Sequence, residues 1–321
     1  MAFGIQGYHL GLRVVHTEHS LFEFKKLDGI IFPWVITPVH ELYDKFVCVS
    51  RATRNNLIIR NKQPSRKSVV IPNSVETRHI LPRAGSPQDG SIRLVLCSRM
   101  VFRRGIDILI ELLPELCERN KDIVIEIIGD GPKLKPLREM IKIKQLEGRT
   151  ILHGGKPNKE ALSLVRQCHI FLNTALTESF GIAIVEAASL GLHVITSNVG
   201  GVAEVLPPEH MHIAELTKEG FLLKIEEVAA IIKREREGQE GQGRGGLNLY
   251  PKEEVFERVT EVYEEVMAVP RRSKVPKLLY FLLIKGNLIS CLLLFLLLIY
   301  SIWDGMQAVA SKVLPGNRRK Q

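Results

Sequence analysis

HIFLNTALTESFGIAIVEAASLGLHVITS occupies residues 169–197. A short apolar run (HIFLNT, 169–174) passes through a polar loop into the small and aliphatic GIAIVEAASL (181–190). After a turn at Gly191 comes a second short run, HVITS (193–197). Runs of strand length on either side of a helix-length segment predict two parallel strands joined by a crossover helix. The unit repeats upstream. IRLVLCS (92–98), IVIEII (123–128) and TILHG (150–154) are further strand candidates, and IDILIELLPELCERN follows Gly105 as a helix. Together these predict an α/β domain of βαβ units, its parallel sheet covered on both faces.

Working further outward, RVVHTEH (13–19), KFVCVS (45–50) and SVVIP (68–72) predict three more strands with a helix between each pair. REREGQEGQGRGGL (234–247) is polar and Gly-rich and reads as a flexible loop. PKEEVFERVTEVYEEVMAV (251–269) reads as an amphipathic helix with acids in its first turn, where the helix dipole favours them. The expected divisions are an N-terminal unit over 1–75, the main α/β domain over 76–233, a loop over 234–250 and a helix over 251–270. A membrane segment over 278–303 and a short basic tail over 304–321 complete them.

The last two divisions come from charge and hydropathy. LISCLLLFLLLIYSIW (288–303) carries no charge; from Gly286 the run has eighteen residues, about 27 Å of helix, enough for a thin bilayer. Tyr300 and Trp303 suit one interface and Lys285 the other. The alternative, a buried helix of a water-soluble core, needs more surrounding apolar surface than the remaining sequence offers. The net charge is +9, and residues 271–321 hold nine Lys or Arg against Asp304, so +8 of it brackets this run. Nucleic acid, the usual partner of a basic chain, is therefore not expected. Five basic residues precede the run closely, which places the body on the cytosolic side of a single-pass membrane protein. The five cysteines lack metal-ligand or disulfide spacing and read as reduced structural thiols. The first residues have no secretory-signal pattern.

Loops at the carboxyl ends of parallel strands form the usual ligand crevice. Four of them carry polar or glycine features. SRMVFRRGID brings Arg99, Arg103 and Arg104, suited to a phosphate or diphosphate or else solvated surface charges. IIGDGP supplies Gly129 and Gly131, whose tight turn serves a ligand or only the strand-to-helix connection. TALTESFGIAIVEA places Glu178 at a helix entrance and Glu186 two turns on, about 80° further round. The amides near Phe180 and Gly181 would face an anion. VGGVAEVLP adds Gly200, Gly201 and Glu204.

SRMVFRRGIDIL, IIGDGP, ESFGIAIVEA and VGGVAEVLP together resemble the C-terminal domain of retaining family 4 glycosyltransferases of the GT-B fold. HTEHSLFEF, CVSRATRNNLIIR, VVIPNSVE and IFLNTALTESF narrow the resemblance to the catalytic A subunits of phosphatidylinositol N-acetylglucosaminyltransferase. The resemblance implies an α/β, GT-B type fold: one complete Rossmann-like domain, an N-terminally shortened one, and a C-terminal transmembrane helix. It implies retaining transfer of N-acetylglucosamine from UDP-GlcNAc to phosphatidylinositol, the first step of GPI anchor synthesis at the endoplasmic reticulum membrane, alongside other subunits of that complex. Catalytic roles fall on His19 and Glu178. Donor diphosphate binding falls on Arg99, Arg104 (where a Lys is usual), Phe180 and Gly181, and ribose binding on Glu186. Gly129, Gly131, Gly200 and Gly201 are the loop glycines. No cofactor and no metal are expected, and no Asp-x-Asp occurs. The shortened N-terminal unit also admits a noncatalytic assembly role in the complex, and the crevice motifs admit another family 4 lipid glycosyltransferase.

Overall fold

The computed structural model describes residues 12–21, 43–61, 65–76, 90–238 and 247–270. The expected membrane segment, the basic tail and the helix between the first two strands lie outside the described residues. No helix among the described residues is long and apolar enough to cross a membrane.

Strands β4 (Ile92–Cys97), β5 (Ile123–Ile128), β6 (Thr150–Gly154), β7 (Ile170–Asn173), β8 (His193–Ser197) and β9 (Met211–Ala214) build one parallel sheet in the order β6-β5-β4-β7-β8-β9. Five of these match the expected runs within a residue or two. The sixth, β9, has no counterpart among the expected runs: MHIA is only four residues long and pairs along one edge of the sheet. Alternate residues of the sheet enter two cores. Leu94, Leu96, Ile125 and Ile127 meet helices α2 (Ile106–Arg119), α3 (Leu134–Ile143) and α6 (Lys218–Arg236). Val95, Phe171 and Val194 meet α4 (Asn158–Val165) and α5 (Ile182–Ser189). Both faces are buried, which is why the strand sequences read as continuous apolar runs instead of alternating ones.

Helix α6 runs through Arg236, so the loop expected from residue 234 begins later than the sequence suggested. Lys233, Arg234 and Arg236 sit in the last turn, where cations favour the helix dipole. The Arg236 guanidinium also donates to the carbonyls of Gly90 and Ser91, at 2.7 and 2.9 Å.

The N-terminal unit is a parallel three-stranded sheet: β1 (Val15–Glu18), β2 (Lys45–Cys48) and β3 (Ser68–Val70), in that order. Helix α1 (Arg51–Asn61) connects β2 to β3. Val15, Val47 and Val69 pack against Val255, Val259 and Val262 of helix α7 (Lys252–Ala268). The other face meets α1, where Arg54 Nε reaches Ser68 Oγ at 3.0 Å and Arg60 reaches Glu18. Helix α7, read from sequence as a separate element, thus returns across the fold to cover the N-terminal sheet. The Lys45–Glu265 ion pair (2.6 Å) and the bond from Arg258 to the Val70 carbonyl (2.7 Å) fix it there.

Candidate catalytic site

The chain leaves β4 toward β5 and β6 on one side of the sheet and returns at β7 to build the other side. The loops following β4 and β7 diverge at this switch point, where an α/β sheet opens a crevice at its carboxyl ends. A cavity of about 310 Å³ lies there, lined by His19, Cys97, Ser98, Arg104, Glu178 and residues 179–184 among others.

Two backbone devices hold the loops. Gly105 ends the short 3-10 turn Phe102–Arg104 and caps α2 with φ +67°. A Cβ at this glycine would stand 1.8 Å from the Thr174 carbonyl oxygen, so the β4 and β7 loops meet backbone to backbone. Thr174 Oγ1 donates to the Arg104 carbonyl at 2.9 Å, and the Leu176 N–H to the Arg103 carbonyl at 3.0 Å. This seam brings the Arg104 guanidinium onto the Glu178 carboxylate as an ion pair.

Helix α5 begins at Ile182, with Gly181 as its N-cap at φ +88°. Glu178 therefore lies in the loop before the helix and not on its first turn, and the 80° helical spacing from Glu186 does not apply. The left-handed Gly181 redirects the chain after Phe180, which is buried and packs edge-on to Tyr250 with centroids 5.1 Å apart. The first amides of α5 border the cavity through Gly181, Ile182 and Ala183, and amides in a helix's first turn have no partner within the helix.

Glu186 sits one turn into α5 and accepts a hydrogen bond from the Asn158 side chain. Burial raises its pKa above the usual carboxylate value, and the Asn158 bond opposes the rise. Its neighbour Cys97 is pushed up to about 11, first by burial and then by the Glu186 charge. Cys97 lines the cavity whereas Glu186 is not among its lining residues, which sets Glu186 at the margin.

His19 follows β1 directly and reaches the cavity from the N-terminal unit. The turn that carries it is anchored by Glu18, whose buried carboxylate pairs with Arg60 at 2.9 Å and accepts the Ser20 N–H at 3.3 Å. Sequence reading passed over this pair, although an acid inside a strand run is a signal that a buried partner is required.

Other expected site residues are placed differently. Arg99 is exposed and is not among the residues lining the cavity. Arg103 donates to the Leu21 carbonyl at 2.9 Å, joining the β4 loop to the segment after β1. Gly129 and Gly131 press on the backbone of Ser98 and Met100, so they shape the β4 loop from behind. Gly200 and Gly201 press on the carbonyls of Glu178 and Ser179, and the Gly201 N–H donates to the Glu178 carbonyl at 2.8 Å. All four glycines support the loops that bear the side chains. Among the described residues no group of three or more His, Cys, Asp or Glu could hold a metal ion.

The family described as Glycosyl transferases group 1 matches residues 79–239, half of the chain and the whole of the six-stranded sheet. The chain belongs to the group 1 glycosyl transferases. Residues 1–79 match the Glycosyltransferase Family 4 description. This glycosyl transferase chain is 34% identical over 273 residues to the A subunit of phosphatidylinositol N-acetylglucosaminyltransferase from Arabidopsis thaliana, covering 85% of this chain and 61% of the relative. It is 39% identical to the A subunit of the Homo sapiens enzyme, covering 64% of this chain and 42% of that protein. The chain thus spans about two-fifths to three-fifths of the length of these relatives. Among solved structures, Anabaena Alr3699/HepE in complex with UDP and glucose superposes with a TM-score of 0.68 at 16% identity, over 82% of this chain and 74% of that one. The pneumococcal O-GlcNAc transferase GtfA in complex with UDP and GlcNAc gives 0.61 at 18% identity, over 83% and 55%. These two likenesses concern the GT-B type fold.

Proposed function

We propose that this chain transfers N-acetylglucosamine from UDP-GlcNAc to phosphatidylinositol with retention of anomeric configuration, as part of a GPI-anchor-forming complex. The carrying observation is the switch-point cavity, where His19, Arg104, Glu178 and the first amides of α5 converge in a chain similar to the plant and human A subunits.

In this reading the donor diphosphate lies against the α5 amides and Arg104. Preorganised donors of this kind stabilise charge developing on the leaving group, so no metal ion and no cofactor are needed. The Arg104 guanidinium has five N–H donors and can hold a phosphate while keeping Glu178 in place. Glu178 meets the transferred sugar, His19 lies on the acceptor side, and Glu186 accepts hydrogen bonds from the ribose at the cavity margin. Arg99, on the same loop, contributes charge from outside. The apolar run 288–303 anchors the chain in the endoplasmic reticulum membrane with its body cytosolic. Basic residues just before the run then add about 1 kcal/mol each near anionic headgroups.

The test is transfer of labelled N-acetylglucosamine to phosphatidylinositol by the full-length chain with its partner subunits. Glu178→Ala abolishes transfer if the assignment holds, and undiminished transfer overturns it. A wild-type chain that binds UDP yet transfers nothing would instead support a noncatalytic assembly role. Parallel donors and lipids distinguish a different family 4 specificity.

A further inference from the structure

Glu204, which the sequence placed in the ligand crevice, is committed elsewhere. Its two carboxylate oxygens accept the first two amides of α1: Arg51 N–H at 2.7 Å and Ala52 N–H at 2.9 Å. An acidic side chain from the C-terminal domain therefore caps a helix of the N-terminal unit at its positive end. The contact is built in from several sides. Gly201, three residues earlier, has no room for a Cβ between the Ser179 carbonyl and the buried Ser50 side chain. Ser50 Oγ in turn accepts the Thr53 N–H at 3.0 Å, which completes the cap of α1. The Tyr250 hydroxyl donates to the Val205 carbonyl at 3.0 Å, while the Val75 N–H donates to the Tyr250 carbonyl at 3.1 Å.

The two sides of this contact lead to the two halves of the cavity. On one side, the loop bearing Glu204 also grips the Glu178 carbonyl through the Gly201 N–H. On the other, Arg51 follows β2 by three residues, and β2 pairs with β1 so that Cys48 stands opposite Glu18, the residue before His19. We infer that Glu204 is a positioning residue: by capping α1 across the domain boundary, it sets His19 against Glu178. The clamp stands on these contacts alone; its effect on transfer rests on the proposed function.

Arg51→Pro tests the clamp from the α1 side. Proline is well tolerated at the first position of a helix, where the lost N–H has no partner within the helix. The substitution deletes one bond to Glu204 and leaves α1 intact, with Arg51→Ala controlling for the side chain. Glu204→Ala deletes both bonds. The inter-unit distance is measured in the full chain between spin labels at the exposed positions Ile59 of α1 and Ile143 of α3. The expected result is one narrow distance distribution for the wild type and for Arg51→Ala, broadened in Arg51→Pro and more so in Glu204→Ala. Transfer by the assembled complex falls roughly tenfold or more in Glu204→Ala, the scale for losing charge-assisted hydrogen bonds. UDP affinity, which depends on the C-terminal domain, stays within about twofold of the wild type. Unchanged distances in both Arg51→Pro and Glu204→Ala overturn the inference whatever the activity. Broadened distances in a chain whose wild type transfers nothing uphold the clamp and count against the proposed function.

Discussion

Gly105→Ala tests whether backbone contact between the β4 and β7 loops builds the cavity. At φ +67° a residue with a Cβ is strained by roughly 1–2 kcal/mol. The new Cβ would also meet the Thr174 carbonyl oxygen at 1.8 Å, whereas ordinary contact starts at 3.4 Å, so the loops must separate. Separation breaks the bond from Thr174 Oγ1 to the Arg104 carbonyl and that from Leu176 N–H to the Arg103 carbonyl, each worth roughly 1 kcal/mol. The total loss is about 3–4 kcal/mol. The control is Gly154→Ala, where φ is similar, +69°, but nothing lies within 4 Å of the added Cβ; it loses only the conformational part, about 1–2 kcal/mol. Urea denaturation of both variants, with UDP binding followed by calorimetry, separates the two contributions. Gly105→Ala should be about 2 kcal/mol less stable than Gly154→Ala and should bind UDP more weakly, because Arg104 has moved. Equal stabilities for the two alanines would refute the close approach as the organising contact.

Glu186→Gln should raise the melting temperature at pH 7 and weaken UDP binding. Burial raises the native pKa of Glu186, so the native state holds this proton more tightly than the unfolded chain; stability falls as pH rises from the unfolded value through the native one. The Gln variant escapes that loss, and its advantage should shrink below about pH 4.5, read by thermal scans at several pH values. Arg104→Ala should weaken UDP binding by roughly 10- to 100-fold, and Arg104→Lys less, because charge is kept while the bidentate fork is lost. Cys97, with its thiol at about 11, should resist iodoacetamide at pH 8 despite lining the cavity, since only about one thiol in a thousand is ionised. Mass spectrometry of native and urea-unfolded protein reads the difference.

The parts of the site legible in the sequence were those carried by local pattern. Gly181 after ESF marks a helix start, and the strand runs mark where each crevice loop must begin. What escaped was partner choice. Arg99, Arg103 and Arg104 look equivalent in SRMVFRRGID, yet one is exposed, one holds the Leu21 carbonyl and one pairs with Glu178. The αL turn at Gly105, which no spacing rule reveals, seats the Arg103 and Arg104 backbone against the β7 loop. Glu178 and Glu186 look like neighbours on one helix, but the same kind of turn at Gly181 puts the first in a loop.

By itself, then, the sequence determined the parallel α/β architecture, because strand-length apolar runs alternating with helices admit few other ways to bury both faces. It also determined at which end of the sheet the crevice opens, since strand polarity in a parallel sheet is fixed by the chain. Tertiary structure alone decided which side chains enter the cavity, that Glu204 binds the start of α1, and that α7 covers the N-terminal sheet. Those outcomes depend on contacts between residues far apart in the chain, such as Glu204 with Arg51 and Val262 with Val47, and on backbone approaches closer than any side chain allows.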